Sequence, residues 1–161
     1  MPEDSAPALA GLEESLSWLL AGSFRAHLAA MREALGDLPH GPRGYEALYG
    51  AAHGSARNQA ELAKQLGVDR TVMVYLVDDL ERAGLVERVP DPCDRRSKLI
   101  RVTEAGHARL ATLSARTATA EAEVLAELSP AEQELLRSML RRVAAGGARY
   151  DLAHACTKDE C

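Results

Sequence analysis

Leucines and other apolar residues recur every three or four positions along most of this 161-residue chain. From Ala8 to Leu35 the stripe comprises Leu9, Leu12, Leu16, Leu19, Leu20, Phe24, Leu28, Met31 and Leu35. That spacing predicts one long amphipathic helix, with Pro7 near its first turn and Gly36 at its end. Two shorter helical patterns follow. Asn58 can cap the first, with Glu61 as a capping-box partner, and Ala60, Leu62, Ala63 and Leu66 supply its buried face. Gly67 ends it and Val68 passes through the turn. Asp69 caps the second, whose apolar face is Met73, Leu76, Val77 and Leu80, and Gly84 is placed to stop it.

After Gly84 the period shortens. Leu85, Val86 and Val89 are β-formers, and Pro90, Asp91, Pro92, Cys93 and Asp94 must turn. Lys98 to Val102 alternates, as a half-buried strand does. Thr103 is a good N-cap, and Glu104 suits the positive end of the helix that follows. Two helices joined by a short Gly-containing turn and followed by a hairpin have the layout of a winged helix-turn-helix. The second helix, about 14 residues and roughly 21 Å long, is sized for a major groove. Arg70, Thr71, Val74 and Tyr75 are then its exposed N-terminal residues. Taken alone, the helix pair also fits any helical hairpin of an all-α protein, and the two strands fit an ordinary surface hairpin.

Charge changes that balance. The chain carries a formal net charge of -5 at pH 7. Between Arg82 and Arg101 the sign reverses: Arg82, Arg88, Arg95, Arg96, Lys98 and Arg101 stand against Glu87, Asp91 and Asp94. A cationic hairpin on an acidic protein suits a polyanion, and duplex DNA rewards it by releasing counterions.

Downstream, Leu110, Leu113, Val124, Leu125 and Leu128 mark another long helix from about Thr103, with an Ala- and Thr-rich middle from Ser114 to Ala122. Ser129-Pro130-Ala131-Glu132 opens a last helix with a Ser cap, Pro at its first position and Glu at its third. Leu135, Leu136, Met139, Leu140 and Val143 form its face, and Gly146-Gly147 ends it. The expected fold is mainly α with a small β-hairpin wing (α+β). Residues 8–36 form an N-terminal dimerisation helix, and 42–102 a winged helix-turn-helix DNA-binding region. Within that region the helix-turn-helix spans about 58–83 and the wing about 85–102. C-terminal dimerisation helices occupy 103–147, and 148–161 is a flexible tail.

Several short runs make the pattern more specific: Gln59-Ala60-Glu61-Leu62-Ala63, Leu66-Gly67-Val68, Leu76-Val77-Asp78-Asp79-Leu80-Glu81 and Gly84-Leu85-Val86-Glu87-Arg88. Asp94-Arg95-Arg96 and Val102-Thr103-Glu104-Ala105-Gly106 follow. On these residues the chain resembles the MarR family of transcriptional regulators, over about Asn58 to Gly106. The resemblance implies that Arg96 reaches a minor groove, that Asp94 fixes the wing, and that Arg95 is a second groove or phosphate contact. It implies DNA contacts by Arg70, Thr71, Val74, Tyr75 and Lys98 as well. Many relatives have Thr and Arg where this chain has Val74 and Tyr75, which leaves fewer donors for base edges; Val74 could pack on a thymine methyl.

The resemblance also implies a homodimer that reads a pseudo-palindromic site, with its heads roughly 34 Å apart. The apolar stripes of the terminal helices agree, since one subunit alone would leave them exposed. A small-molecule effector between the first helix, the second helix and the dimer helix is implied too. Trp18, Arg25 and His27 on the first helix, with Tyr45, Tyr49 and His53 on the second, would suit an aromatic carboxylate. The expected function is a repressor released from its operator by such a ligand. The alternatives are a winged-helix protein-interaction module without DNA binding and a redox-responsive regulator using Cys93.

The remaining features narrow the class. Aromatics are 4% of residues, so the core is mainly Leu, Ala and Val. No nucleophile motif, phosphate-binding Gly loop or metal-spaced cluster appears, so no enzyme activity, cofactor or metal is expected. The start MPEDSAPALAG lacks the basic segment of a signal peptide, and no run of 18 apolar residues occurs. A cytoplasmic location is expected. The three cysteines, Cys93, Cys156 and Cys161, do not form a disulfide framework. His154, Cys156 and Cys161 lack a clear fourth zinc ligand.

Overall fold

The computed structural model describes residues 11–54, 58–92 and 98–147. The element order is α1 (Leu16–Ala34), α2 (Pro42–His53), α3 (Gln59–Gln65), α4 (Arg70–Arg82), β1 (Val86–Pro90), β2 (Lys98–Val102), α5 (Glu104–Val124) and α6 (Pro130–Gly147). Two compact units divide between Val124 and Leu125. The first holds α1 to α5 and the hairpin, and the second holds α6.

The first helix is shorter than its apolar stripe. Residues 11–14 form a turn around Gly11, whose φ is 88°, and Ser15 caps the helix by accepting from the Trp18 amide at 3.2 Å. A Ser side chain offers the backbone a local bond that competes with one more helical turn. Only the last part of the stripe is core: Met31 and Leu35 are buried, whereas Leu12, Leu16, Leu19, Leu20 and Phe24 are exposed. Leu9 lies outside the described residues.

α1 packs chiefly on α5, and α2 touches α4, α5 and β2. Ala47 and Leu48 of α2 therefore sit at the centre with Leu62, Met73, Leu76, Val77, Leu80 and Leu113, all almost solvent-free. A second link between α1 and α5 is ionic. Asp37, just past α1, lies 2.5 Å from Arg109 Nη2 and 3.1 Å from Arg116 Nη1. The hydrogen bonds from Arg109 and Arg116 hold its carboxyl below the usual range.

The hairpin pairs antiparallel in the register Val86↔Val102, Glu87↔Arg101, Arg88↔Ile100, Val89↔Leu99 and Pro90↔Lys98. Pro90, expected to begin the turn, is the last strand residue, a position where a missing N–H is tolerated. At the far end, Thr103 joins β2 to α5. Its hydroxyl donates to the Gly84 carbonyl at 2.7 Å and accepts from the Gly106 amide at 2.9 Å. A Cβ on Gly106 would collide with the Leu85 carbonyl oxygen. The Thr-Glu-Ala-Gly run is thus a cap followed by a forced close approach between helix and hairpin.

α5 ends at Val124, so Leu125 and Leu128 belong to the turn before α6 rather than to one longer helix. The α6 start is a reciprocal box. Ser129 N and Oγ both donate to Glu132 Oε2, at 2.8 and 2.6 Å, and Glu132 N donates to Ser129 Oγ at 3.4 Å. Leu135, Met139, Leu140 and Val143 leave an exposed apolar stripe on α6. Among the described residues no helix is long and apolar enough to cross a membrane. Residues 148–161, including His154, Cys156 and Cys161, lie outside the described residues.

Candidate nucleic-acid interface and an adjoining cleft

The helix-turn-helix forms where local chemistry predicts it. Asn58 Oδ1 accepts from Glu61 N at 3.0 Å, and its Nδ2 donates to Glu61 Oε1 at 3.0 Å. Gly67 takes the left-handed conformation, with φ 60°, and the Val68 amide closes the turn on the Ala63 carbonyl at 2.9 Å. Asp69 Oδ1 accepts from Thr71 N at 2.7 Å and from Val72 N at 3.4 Å. Those amides hold the Asp69 carboxyl below its ordinary range.

α4 commits one face wholly to the core through Met73, Leu76, Val77 and Leu80. Arg70, Thr71, Val74 and Tyr75 are all exposed, as expected, and Lys98 is exposed on β2. Cys93, Asp94, Arg95 and Arg96 fall outside the described residues.

One cation counted with the basic hairpin has a different role. Arg88 is largely buried, and its guanidinium bridges Asp78 Oδ1 (2.6 Å), Glu81 Oε2 (2.5 Å) and Gln59 Oε1 (2.9 Å). Its backbone N–H also donates to Glu81 Oε1 at 2.9 Å. The backbone bond, then the side-chain bond, from Arg88 lowers the Glu81 pKa against opposing burial. Arg88 is therefore a clamp tying β1 to α3 and α4. Arg82 likewise pairs with Asp79. The signal in sequence was limited to two carboxylates, Asp78 and Glu81, within ten residues of Arg88; Gln59 joins them through the fold alone.

A cleft of about 700 Å³ opens between α1, α2 and α5. Phe24, Leu28, Met31 and Tyr45 give it apolar walls, and Arg32, Arg43, His27 and His40 bring donors. Tyr45 is fixed from behind by a 3.1 Å hydrogen bond between its hydroxyl and Ser114 Oγ. Of the six residues expected to meet a ligand, His27 and Tyr45 line this cleft. Tyr45 also borders a smaller depression of about 320 Å³ with Tyr49 and His53, whose rings stack at 4.4 Å. Trp18 and Arg25 line neither hollow; Arg25 lies over the Trp18 ring at 6.0 Å. Arg32, Arg43 and His40 were not singled out in the sequence, because only the fold brings them to one hollow.

A sequence profile of the MarR family matches residues 46–97. Over 146 residues the chain is 31% identical to a Thauera aromatica protein assigned as a transcriptional regulatory protein for the hcr operon, covering 85% of this chain and 88% of that one. This chain belongs to the MarR family.

Solved structures agree with that membership. A MarR-family transcriptional regulator from Rhodococcus sp. RHA1 is 31% identical, with a TM-score of 0.74 over 84% of this chain and 96% of its own. CouR from Rhodococcus jostii RHA1, in complex with p-coumaroyl-CoA, is 32% identical, with a TM-score of 0.72 over 84% and 95%. The repressor CouR bound to a 23-mer DNA duplex superposes with a TM-score of 0.78 at 29% identity, over 85% and 97%. The family and these relatives are transcriptional regulators, so this MarR-family chain is one as well, built on a winged helix.

Proposed function

We propose that this MarR-family protein is a homodimeric, sequence-specific repressor that leaves its operator when an aromatic acid or its thioester occupies the α1–α2–α5 cleft. The observation that carries the DNA reading is the outer face of α4. Arg70, Thr71, Val74 and Tyr75 stand exposed on a helix locked to the hairpin by Arg88. Rigid placement of such a face is what groove reading needs. Thr71, Val74 and Tyr75 meet the major groove, Arg70 and Lys98 meet phosphate, and Arg95 and Arg96, with Asp94 ordering them, meet the minor groove. CouR offers a parallel for both halves, since it is a repressor and its structures hold a DNA duplex in one case and p-coumaroyl-CoA in another.

Exposed apolar surface supports the dimer. Leu16, Leu19, Leu20 and Phe24 on α1, and Leu135, Met139, Leu140 and Val143 on α6, are all exposed. A second copy that covered these stripes would set two reading heads for a pseudo-palindromic site. In this reading the N-terminal region and the C-terminal helices dimerise and the winged region reads DNA. In the ligand site, His27 of α1 and Tyr45 of α2 flank the ligand and Arg32 receives the acid, Arg43 being paired with Glu46. Operator binding places the protein in the cytoplasm with its DNA.

The test is a gel shift on DNA from just upstream of its own gene, at several salt concentrations, with random DNA as competitor. Specific, salt-sensitive binding by a dimer is expected, and aromatic acids or their CoA thioesters should reverse it. Replacing Arg95 and Arg96 together by Ala should weaken binding and flatten its salt dependence. An absence of DNA binding at low salt would reject the reading and favour a winged-helix module that binds protein.

A further inference from the structure

The exposed half of α4 has an unusual chemistry for a base-reading surface. Val72, Val74 and Tyr75 are 48%, 39% and 60% exposed, although the buried face of the same helix is already filled. Helical geometry sets Thr71, Val74, Tyr75 and Asp78 on one outward sector, three and four residues apart. From Thr71 to Asp78 there is no Arg, Lys, Asn or Gln, the side chains that make bidentate bonds to guanine or adenine. Asp78 would be the remaining acceptor for cytosine, but its Oδ1 is held by Arg88 at 2.6 Å. Arg70 stands one turn before Val74, at the end of the helix, where a phosphate can take it up.

The Thr71 hydroxyl can bond any base and so selects none, which leaves the Val74 methyls and the Tyr75 ring as the discriminating groups of that sector. The major groove has one apolar feature for them to meet, the thymine C5-methyl. We propose that Val74 and Tyr75 are the specificity-determining residues of α4 and that they read thymine methyl groups. The Val74 methyls pack on one C5-methyl, and the Tyr75 ring covers a neighbouring one while its hydroxyl faces the backbone. The half-sites under α4 are accordingly selected for thymine at those steps, not for guanine. This inference rests on the reading above that α4 enters the major groove of DNA.

The experiment separates the two. Full-length protein first selects sites from a randomised duplex library. Affinity is then measured by fluorescence anisotropy on the selected duplex and on a copy with deoxyuridine in place of thymine in the half-sites, which removes only the methyl groups. A third duplex carries deoxyuridine outside the half-sites. The wild type should bind the half-site deoxyuridine copy roughly three- to tenfold more weakly and ignore the outer replacement. The double variant Val74→Ala, Tyr75→Ala should bind both duplexes alike, at the weaker level. Both side chains are exposed, so its melting temperature should match the wild type and exclude a folding defect. Equal wild-type affinity for the thymine and deoxyuridine half-sites would overturn the inference, as would full discrimination by the double variant. Failure to select or bind any duplex at low salt would instead reject the DNA reading on which it rests.

Discussion

His40 Nε2 lies 2.6 Å from Asp79 Oδ2, so a side chain in the wall of the cleft is bonded to the second helix of the helix-turn-helix. Asp79 is also paired with Arg82, one turn along α4. His40 holds this position with a left-handed backbone, φ 62°, a conformation seldom adopted by non-glycine residues and found at sites with special duties. A ligand that drew on His40 would compete with Asp79 for it. The bond links the cleft wall to the reading helix, and its making and breaking would give the cleft a physical route to that helix. Replacing His40 by Ala should leave specific DNA binding largely intact and blunt its release by aromatic acids. Anisotropy of a labelled operator, titrated with the acid for both proteins, measures this. Release of the His40→Ala protein at the wild-type ligand concentration would reject the route.

Arg88 should matter for stability more than for charge. Its removal leaves Asp78 and Glu81 near each other without their shared cation, and leaves Gln59 without its donor. Breaking a buried ionic cluster costs up to several kcal/mol, discounted here because the two carboxylates are partly exposed, so about 2 kcal/mol is expected for Arg88→Ala. Arg88→Lys should recover little, because an ammonium cannot span three partners in one plane. Urea unfolding of the three proteins checks this. A Lys variant as stable as the wild type would show that charge, not fork geometry, holds the hairpin.

Two glycines should respond in opposite directions. At Gly106 an added methyl meets the Leu85 carbonyl, a backbone contact that cannot easily yield, and lies 2.7 Å from Val102 Cγ1. Gly106→Ala should destabilise by roughly 2–3 kcal/mol, as overpacking does. Gly146, near the end of α6, has open space around the same position. Gly146→Ala should be neutral or stabilise by up to about 0.5–1 kcal/mol through helix propensity. Thermal melts rank the three proteins, and a stable Gly106→Ala variant would refute the close-approach account.

Acid should loosen the fold through carboxylates whose pKa values are lowered on folding, Asp37 and Glu81 among them. Hydrogen bonds from Arg109 and Arg116 lower that of Asp37, and the Arg88 backbone and side chain lower that of Glu81. A depressed carboxyl pKa stabilises fully above its ordinary value, 3.8 for Asp37 and 4.5 for Glu81, and the gain is lost as pH falls through the lowered value. These two groups should therefore contribute no change between about pH 7 and 5, and a falling contribution below about pH 4.5. Urea midpoints across that range are the measurement. Glu81→Gln should be less stable than the wild type at neutral pH and lose less on acidification; parallel curves would remove Glu81 from the account.

Much of this architecture was readable in the sequence because it depends on neighbours. The caps at Asn58, Asp69, Thr103 and Ser129 use partners two or three residues away, and the buried faces of α3 and α4 follow from a helical period. The hairpin announced itself by its shift of period and its prolines. The same locality misled at α1, where the apolar stripe runs past the Ser15 cap that ends helical pairing.

What the tertiary structure decided lies between residues far apart in the chain. His40 meets Asp79 across 39 positions, Arg88 meets Gln59 across 29, and Asp37 meets Arg116 across 79. No period or motif encodes such pairs, because they arise when separate hydrophobic faces pack and carry their polar rims together. That packing made Arg88, counted by sequence among the cations of the hairpin, into a clamp, and it drew Arg32, Arg43 and His40 into the cleft while leaving Trp18 and Arg25 outside it. Sequence determined the elements and the family, through spacing and capping chemistry that act within a turn or two. Tertiary packing alone decided which charges remain available to a partner, because a cation's role depends on which carboxylates the folded chain brings within reach.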